Sequence, residues 1–170
     1  MERIKNSHKG QTVIETALMI MLLFILFFGI AEVSRFWWLK NQINNAARVS
    51  VRVAIVDSSL TAGADSDIGT CSYNSGTNSC SSGAPGSIEY AACSSITNSS
   101  ICTGAVVHLT VTGVDASGNP GGSIVSPGGI ITVTVRRQNV ATIVPGLASL
   151  SLGLIPSSIN LTSQSTMRHE

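Results

Sequence analysis

Between Gln11 and Ala31 the chain carries one charged side chain, the carboxylate of Glu15. At 1.5 Å per residue a helix of that length covers about 30 Å, the hydrocarbon thickness of a bilayer. An acid near the centre of such a helix costs about 2.5–3.5 kcal/mol on insertion scales, so an intramembrane Glu usually marks a function; a carboxylate snorkelling to the headgroups is the plainer alternative. A secretory signal peptide would be shorter in its apolar core and would end at small residues suited to cleavage. Here Ala31 leads straight into Glu32-Val33-Ser34-Arg35. The stretch therefore predicts a membrane anchor. Arg3, Lys5 and Lys9 precede it and Arg35, Lys40 and Arg48 follow it. With basic residues on both sides, charge bias does not decide the orientation.

The helical pattern continues past the span. Phe36, Leu39, Ile43, Ala46, Ala47, Val53 and Ala54 recur at helical spacing, while Asn41, Asn45, Arg48 and Arg52 share the opposite face. Proline is absent from Gln11 to Val56, and Gly29 is the one glycine. One helix of about 69 Å is predicted, its first half apolar all round and its second half amphipathic. Phe36-Trp37-Trp38 fall where an aromatic interface belt would lie.

Gly10-Gln11, Ile14-Glu15-Thr16-Ala17-Leu18, Gly29-Ile30-Ala31-Glu32, Arg35, Gln42, Asn44-Asn45-Ala46-Ala47-Arg48 and Arg52-Val53-Ala54 together resemble the N-terminal region of TadE-like pseudopilins. These are minor pilin-like components of the bacterial tight-adherence (Flp) pilus apparatus. Ser165-Thr166-Met167-Arg168-His169-Glu170 is similar to the family's closing strand. Thr16 stands where many members have a bulky aromatic, and Met19-Ile20-Met21 where many have a proline. The missing proline suggests a straighter membrane helix.

The resemblance implies cleavage by a prepilin peptidase between Gly10 and Gln11 on the cytoplasmic side, which also orients the chain. Glu15 then becomes the fifth residue of the mature protein and an assembly residue, neutralising the terminal amine of its own or a neighbouring subunit. The implied division is a cytoplasmic leader (1–10), a transmembrane helix (11–31), its amphipathic continuation (32–56) and an extracytoplasmic domain (57–170). The implied partners are prepilin peptidase, other Tad pilins and pseudopilins and the Tad inner-membrane assembly platform. A heteromeric filament or pilus-base complex is expected, with the chain in the bacterial inner membrane before it enters the pilus.

From Asp57 to Ala105 turn formers dominate, and Cys71, Cys80, Cys93 and Cys102 are spaced by nine, thirteen and nine positions. Outside the cytoplasm an even count favours two disulfides. Zinc would want a C-x-x-C pair or a histidine cluster, and His108 stands alone near a strand. Three connectivities are possible; the equal length and similar composition of the two short segments favour local loops 71–80 and 93–102. Asp57, Asp65 and Asp67 fit no calcium loop and read as solvated turn residues.

Val107, Leu109 and Val111 alternate with polar residues, as do Ile131, Val133 and Val135, and Ile159, Leu161, Ser163, Ser165 and Met167 more thinly. Three strands follow, Ala105 onward, Ile130 to Arg137 and Ile159 to Met167, with a turn-rich connection from Gly113 to Gly129. Pro145 could open a short helix. A small antiparallel sheet needs an apolar cover, and the Phe36–Ala54 face is the one long amphipathic candidate. The fold class expected is α+β, pilin-like, with a disulfide-bonded loop region.

Charged residues make up 11% of the chain and the net charge is +1, which leaves no electrostatic case for nucleic acid. G-x-S-x-G, a phosphate loop and paired catalytic acids are all missing, so the chain looks like a substrate of enzymes rather than an enzyme, and no motif calls for a cofactor. Asn98-Ser99-Ser100 and Asn160-Leu161-Thr162 match a glycosylation sequon, a chance pattern in so Ser/Thr-rich a sequence. The leading expectation is a minor pilin-like subunit. The alternatives are a membrane-tethered binding module, or a principal type IV-like pilin or type II secretion pseudopilin.

Overall fold

A computed structural model describes residues 7–113, 118, 128–141 and 158–169. The chain forms two compact units, Met1–Trp37 and Trp38–Glu170. Helix α1, Ser7–Ala54, supplies the first and begins the second.

In the first unit the helix is apolar on every side. Leu22 and Leu26 are 65% and 55% exposed, and exposure runs around the whole circumference from Val13 to Ile30. Such a helix is stable where its surroundings are themselves apolar. Its mean hydropathy reaches 2.6, long and apolar enough for one membrane span near the N-terminus. Hydroxyls within it bond inward: Thr16 Oγ1 donates to the Thr12 carbonyl at 2.8 Å and Ser34 Oγ to the Ile30 carbonyl at 2.9 Å. Each polar group is thereby satisfied without water.

The second unit is α+β. After α1 come β1 (Asp65–Thr70), β2 (Ser72–Asn74), β3 (Ser79–Ser81), α2 (Ile88–Ser94), α3 (Ser99–Cys102), β4 (Val106–Thr112), β5 (Ile130–Ala141) and β6 (Ser158–Arg168). Four strands form an antiparallel sheet in the order β1-β4-β5-β6, and β2 pairs with β3 as a separate hairpin. Register follows the period-two pattern: Val107 faces Val135, Leu109 faces Val133 and Val111 faces Ile131. These six side chains are buried, and β6 adds Leu161 and Ser163. Their neighbours along each strand point to the other face, where Thr132 and Thr166 hydroxyls lie 3.1 Å apart.

The α1 face from Leu39 to Ala54 packs on this sheet. Leu39, Ile43, Ala46, Ala47, Ser50, Val51 and Ala54 are fully buried, whereas Asn41, Asn45, Arg48 and Arg52 are exposed. Of the predicted face Leu39, Ile43, Ala46, Ala47 and Ala54 are buried, Phe36 and Val53 are half-buried, and Ser50 and Val51 enter the core in addition. Ser50 is accommodated because its hydroxyl donates to the Ala46 and Ala47 carbonyls at 2.8 and 3.0 Å. Polar groups at the margin anchor the helix. Lys40 Nζ donates to the Thr162 carbonyl of β6, Gln42 Nε2 to Thr97 Oγ1 at 3.0 Å, and the Asn98 amide to Gln42 Oε1 at 3.2 Å.

The region expected to be mostly loop holds short elements. Ser87 caps α2 by accepting from the Tyr90 amide, and Asn98 caps α3 by accepting from the Ser100 amide, each satisfying an orphan N–H of a first turn. Ile96 and Ile101 are buried beside the cysteines. β5 runs four residues beyond its expected end at Arg137, across a register shift between Arg137 and Val140 where Asn139 adopts φ +56°. The helix expected at Pro145 and most of the connection Gly113 to Gly129 lie outside the described residues.

The disulfide loops 71–80 and 93–102 expected from the sequence do not form. The bonds are Cys71–Cys93 and Cys80–Cys102, with Cα separations of 5.5 and 5.8 Å. The hairpin register explains the correction. Tyr73 pairs with Cys80, which sets Cys71 two residues out of register with Cys80. Diagonal neighbours stand about 7–8 Å apart, beyond the usual Cα span of a disulfide. Each hairpin cysteine instead meets one from a helix, Cys93 of α2 or Cys102 of α3, and all four are buried.

Two outcomes follow from this packing. Ile43→Ala should lower stability by about 2–5 kcal/mol through cavity formation, whereas Arg48→Ala should stay within about 0.5 kcal/mol; urea unfolding of the full chain in detergent micelles compares them. Peptide mapping without reduction should join Cys71 to Cys93, and replacing that pair by alanine should cost about 2–5 kcal/mol. Recovery of a Cys71–Cys80 peptide would contradict the register.

Candidate functional site

Two places gather polar chemistry, one in each unit. In the first, Gly10, Gln11 and Glu15 all lie within α1, and all three are exposed. Gln11 and Glu15 are four residues apart and so share one helix face. Beyond its chain neighbours and its own helix backbone, Gly10 has no atom of the described residues within 4 Å of where a Cβ would stand. Its φ is not among the positive ones. Nothing in the helix geometry asks for glycine there, and glycine in a helix interior costs about 1 kcal/mol relative to alanine. At the far end of the apolar run Glu32 and Arg35 form an ion pair of 3.5 Å.

In the second unit the solvent face of the sheet carries a charged cluster that the sequence reading missed. Asp65 and Asp67 are not turn residues; they stand on edge strand β1, two apart and therefore on one face. Register sets Asp67 opposite His108 and Asp65 opposite Thr110. His108 is not alone. Its Nδ1 lies 2.9 Å from Asp67 Oδ1 and its Nε2 lies 2.8 Å from Asp65 Oδ1. Thr110 Oγ1 donates to Asp65 Oδ1 at 3.1 Å, and Arg136 Nη2 donates to both oxygens of Asp67 at 2.8 and 2.7 Å.

The electrostatics follow from these contacts. The hydrogen bond to Asp67 raises His108 above its ordinary value; burial opposes it, and the hydrogen bond to Asp65 and the charges of both aspartates add to the rise. The bond from His108 lowers Asp65, helped by Thr110, and lowers Asp67, helped by Arg136. The D-x-D spacing before a strand bearing a histidine was the legible signal. Asp57 behaves as expected of a turn residue, accepting from the Ser59 amide at 2.9 Å and the Ser59 hydroxyl at 2.6 Å. Among the described residues no group of three or more His, Cys, Asp or Glu is arranged to hold a metal ion. The disulfides leave no free cysteine.

The predicted site residues thus fall in separate places, Gly10, Gln11 and Glu15 in the first unit and the four cysteines in the second. Comparison with curated proteins and with solved structures returned no match. Residues 10–52, nearly all of α1, match the family model described as TadE-like protein, in keeping with the residues quoted above, and the chain is consistent with a TadE-like protein.

Proposed function

We propose that the chain is a structural minor pilin, or pseudopilin, of a Tad (Flp) type pilus. The TadE-like match suggests a Tad pilus-related protein. The finer reading has prepilin peptidase cut between Gly10 and Gln11 on the cytoplasmic side, with the domain beyond the helix outside the cytoplasm. The mature subunit then assembles through α1 with other Tad pilins and pseudopilins at the inner-membrane assembly platform. Its contribution would be to pilus biogenesis, adhesion or secretion.

The observation that carries this reading is the family match beginning at Gly10, a glycine that the fold itself does not require. A glycine leaves the backbone bare to a protease. Glu15 supports the same reading by its position. It shares a helix face with Gln11, one turn away, so the amine released at Gln11 would find a carboxylate within reach. An opposite charge at that range lowers the cost of an ionised acid in lipid. The coarser statement, one apolar helix fit to span a membrane near the N-terminus, agrees with an anchored precursor.

Mass spectrometry of the protein from a strain with active peptidase should find Gln11 as the first residue, and Gly10→Val should leave full-length precursor in the membrane. An intact Met1 in the wild type would overturn the reading. Glu15→Ala should be processed normally yet reach sheared pili at a small fraction of the wild-type level. Unchanged incorporation would remove Glu15 from assembly.

A further inference from the structure

The cluster on β1, β4 and β5 has no role in the pilus reading, and its geometry fixes a protonation state. Both ring nitrogens of His108 lie within 2.9 Å of a carboxylate oxygen. A neutral imidazole has one N–H and one lone pair. Whichever tautomer it took, the lone pair would face Asp65 or Asp67 at hydrogen-bond distance, acceptor against acceptor. Only the imidazolium, with two N–H donors, satisfies both contacts. Thr110 and Arg136 complete the array by donating to the same two carboxylates.

The strand held by these contacts divides in two. The pairings Asp65–Thr110, Ser66–Leu109 and Asp67–His108 are followed by a register shift before Gly69. Beyond the shift the chain is tied covalently: Cys71 bonds to Cys93, and its amide and carbonyl bond to the Ala105 carbonyl and the Gly104 amide at 2.8 and 3.0 Å. The half before the shift has no covalent tether; at its start the chain is held to β4 by backbone bonds alone, the Gly63 amide to the Val111 carbonyl at 3.0 Å and the Val111 amide to the Ala64 carbonyl at 2.7 Å. It lies at the sheet edge, its side chains are exposed, and α1 joins it through the turn residues from Ile55 to Ala64. Edge segments with exposed hydrogen bonds are the least protected parts of a sheet.

We propose that His108 is a proton-dependent latch, which as imidazolium clamps Asp65–Asp67 of edge strand β1 onto β4 and on losing a proton lets that half-strand open. The titratable and charged groups that face it are Asp65 and Asp67 from β1 and Arg136 from β5, while Thr134 lies opposite on β5. Glu89 of α2 sits next to Gly69 on the far side of the register shift, hydrogen-bonded to Ser82.

The sign is set by linkage. A histidine raised in the folded state contributes stability that is complete below its unfolded value and is lost as pH rises through its folded value. The two aspartates, lowered in the folded state, lose their contribution on the acid side as pH falls through their folded values. The latch is therefore closed between these limits. It opens on the alkaline side when His108 alone discharges.

The test is hydrogen exchange on the full chain in detergent micelles, corrected for intrinsic exchange, across about pH 6 to 9. Protection of the β1–β4 amides from Asp65 to Asp67 should fall on the alkaline side, by up to about tenfold for each unit by which His108 stands above its unfolded value. The β5–β6 amides should hold. In His108→Gln, which bears no charge at any pH, protection should be low and flat while β5–β6 still protects. The same fall in His108→Gln, or no fall in the wild type, would overturn the latch. Independently of that variant, the ring-proton titration of His108 in the wild type should have its midpoint above the ordinary histidine value and move down in Asp65→Asn and Asp67→Asn. A midpoint at or below the ordinary value, or one that neither variant moves, would also overturn it.

Discussion

Burial of the Leu39–Ala54 stripe is the interaction on which the second unit depends. Six apolar side chains of β4 and β5 and the thinner contribution of β6 make a sheet face too large to leave in water, and α1 is the long helix that meets it. The stripe is mostly small: Ala46, Ala47, Ser50 and Ala54 lie between the larger Leu39, Ile43 and Val51. Small side chains let a helix backbone come close to a sheet, and the larger ones fill the interstices at close-packed density. A helix that is apolar all round before Ile30 and one-sided after Leu39 is thus suited to two surroundings, lipid and a protein core.

What the sequence made legible was whatever repeats. The helical spacing from Leu39 to Ala54 and the alternation in Val107–Val111 and Ile131–Val135 each bury several side chains on one face, so the period shows through. β1 hides because Asp-Ser-Asp-Ile-Gly-Thr has no apolar alternation; as an edge strand it contributes hydrogen bonds and charges more than core. β2, β3 and α3 are three or four residues long, too short for any period to register. The extension of β5 passes through Arg137-Gln138-Asn139, where a register shift breaks the alternation that would have announced it. Val51 replaced Val53 because the two stand about 200° apart on the helix, at opposite margins of the stripe, and spacing alone does not choose between the margins.

The candidate site residues divide in the same way. Gly10 and Glu15 were legible as chemistry, an acid and a bare backbone in an apolar context, and the family match falls on the helix that carries them. The match ends at residue 52, so the sheet, the disulfides and the charged cluster belong to the part of the chain outside it. His108 was read as isolated because its partners lie 41 and 43 residues away and meet it only through sheet register. Disulfide pairing failed for a related reason. Spacing favours near neighbours, whereas register and the placing of α2 and α3 join residues 22 positions apart.

That pairing changes what a single cut in the chain can do. The spans 71–93 and 80–102 overlap, so every peptide bond from Cys71 to Cys102 is bridged by at least one disulfide. Between Cys80 and Cys93 it is bridged by both. The exposed stretch Gly83-Ala84-Pro85-Gly86, the kind of turn at which proteases nick, lies in the doubly bridged interval. Two local loops would have left that interval uncovered, and one cut there would have left β4, β5 and β6 with no covalent link to α1 and β1. In the interleaved arrangement a nicked molecule remains a single covalent piece, its two fragments held in register by the bonds that cross the cut.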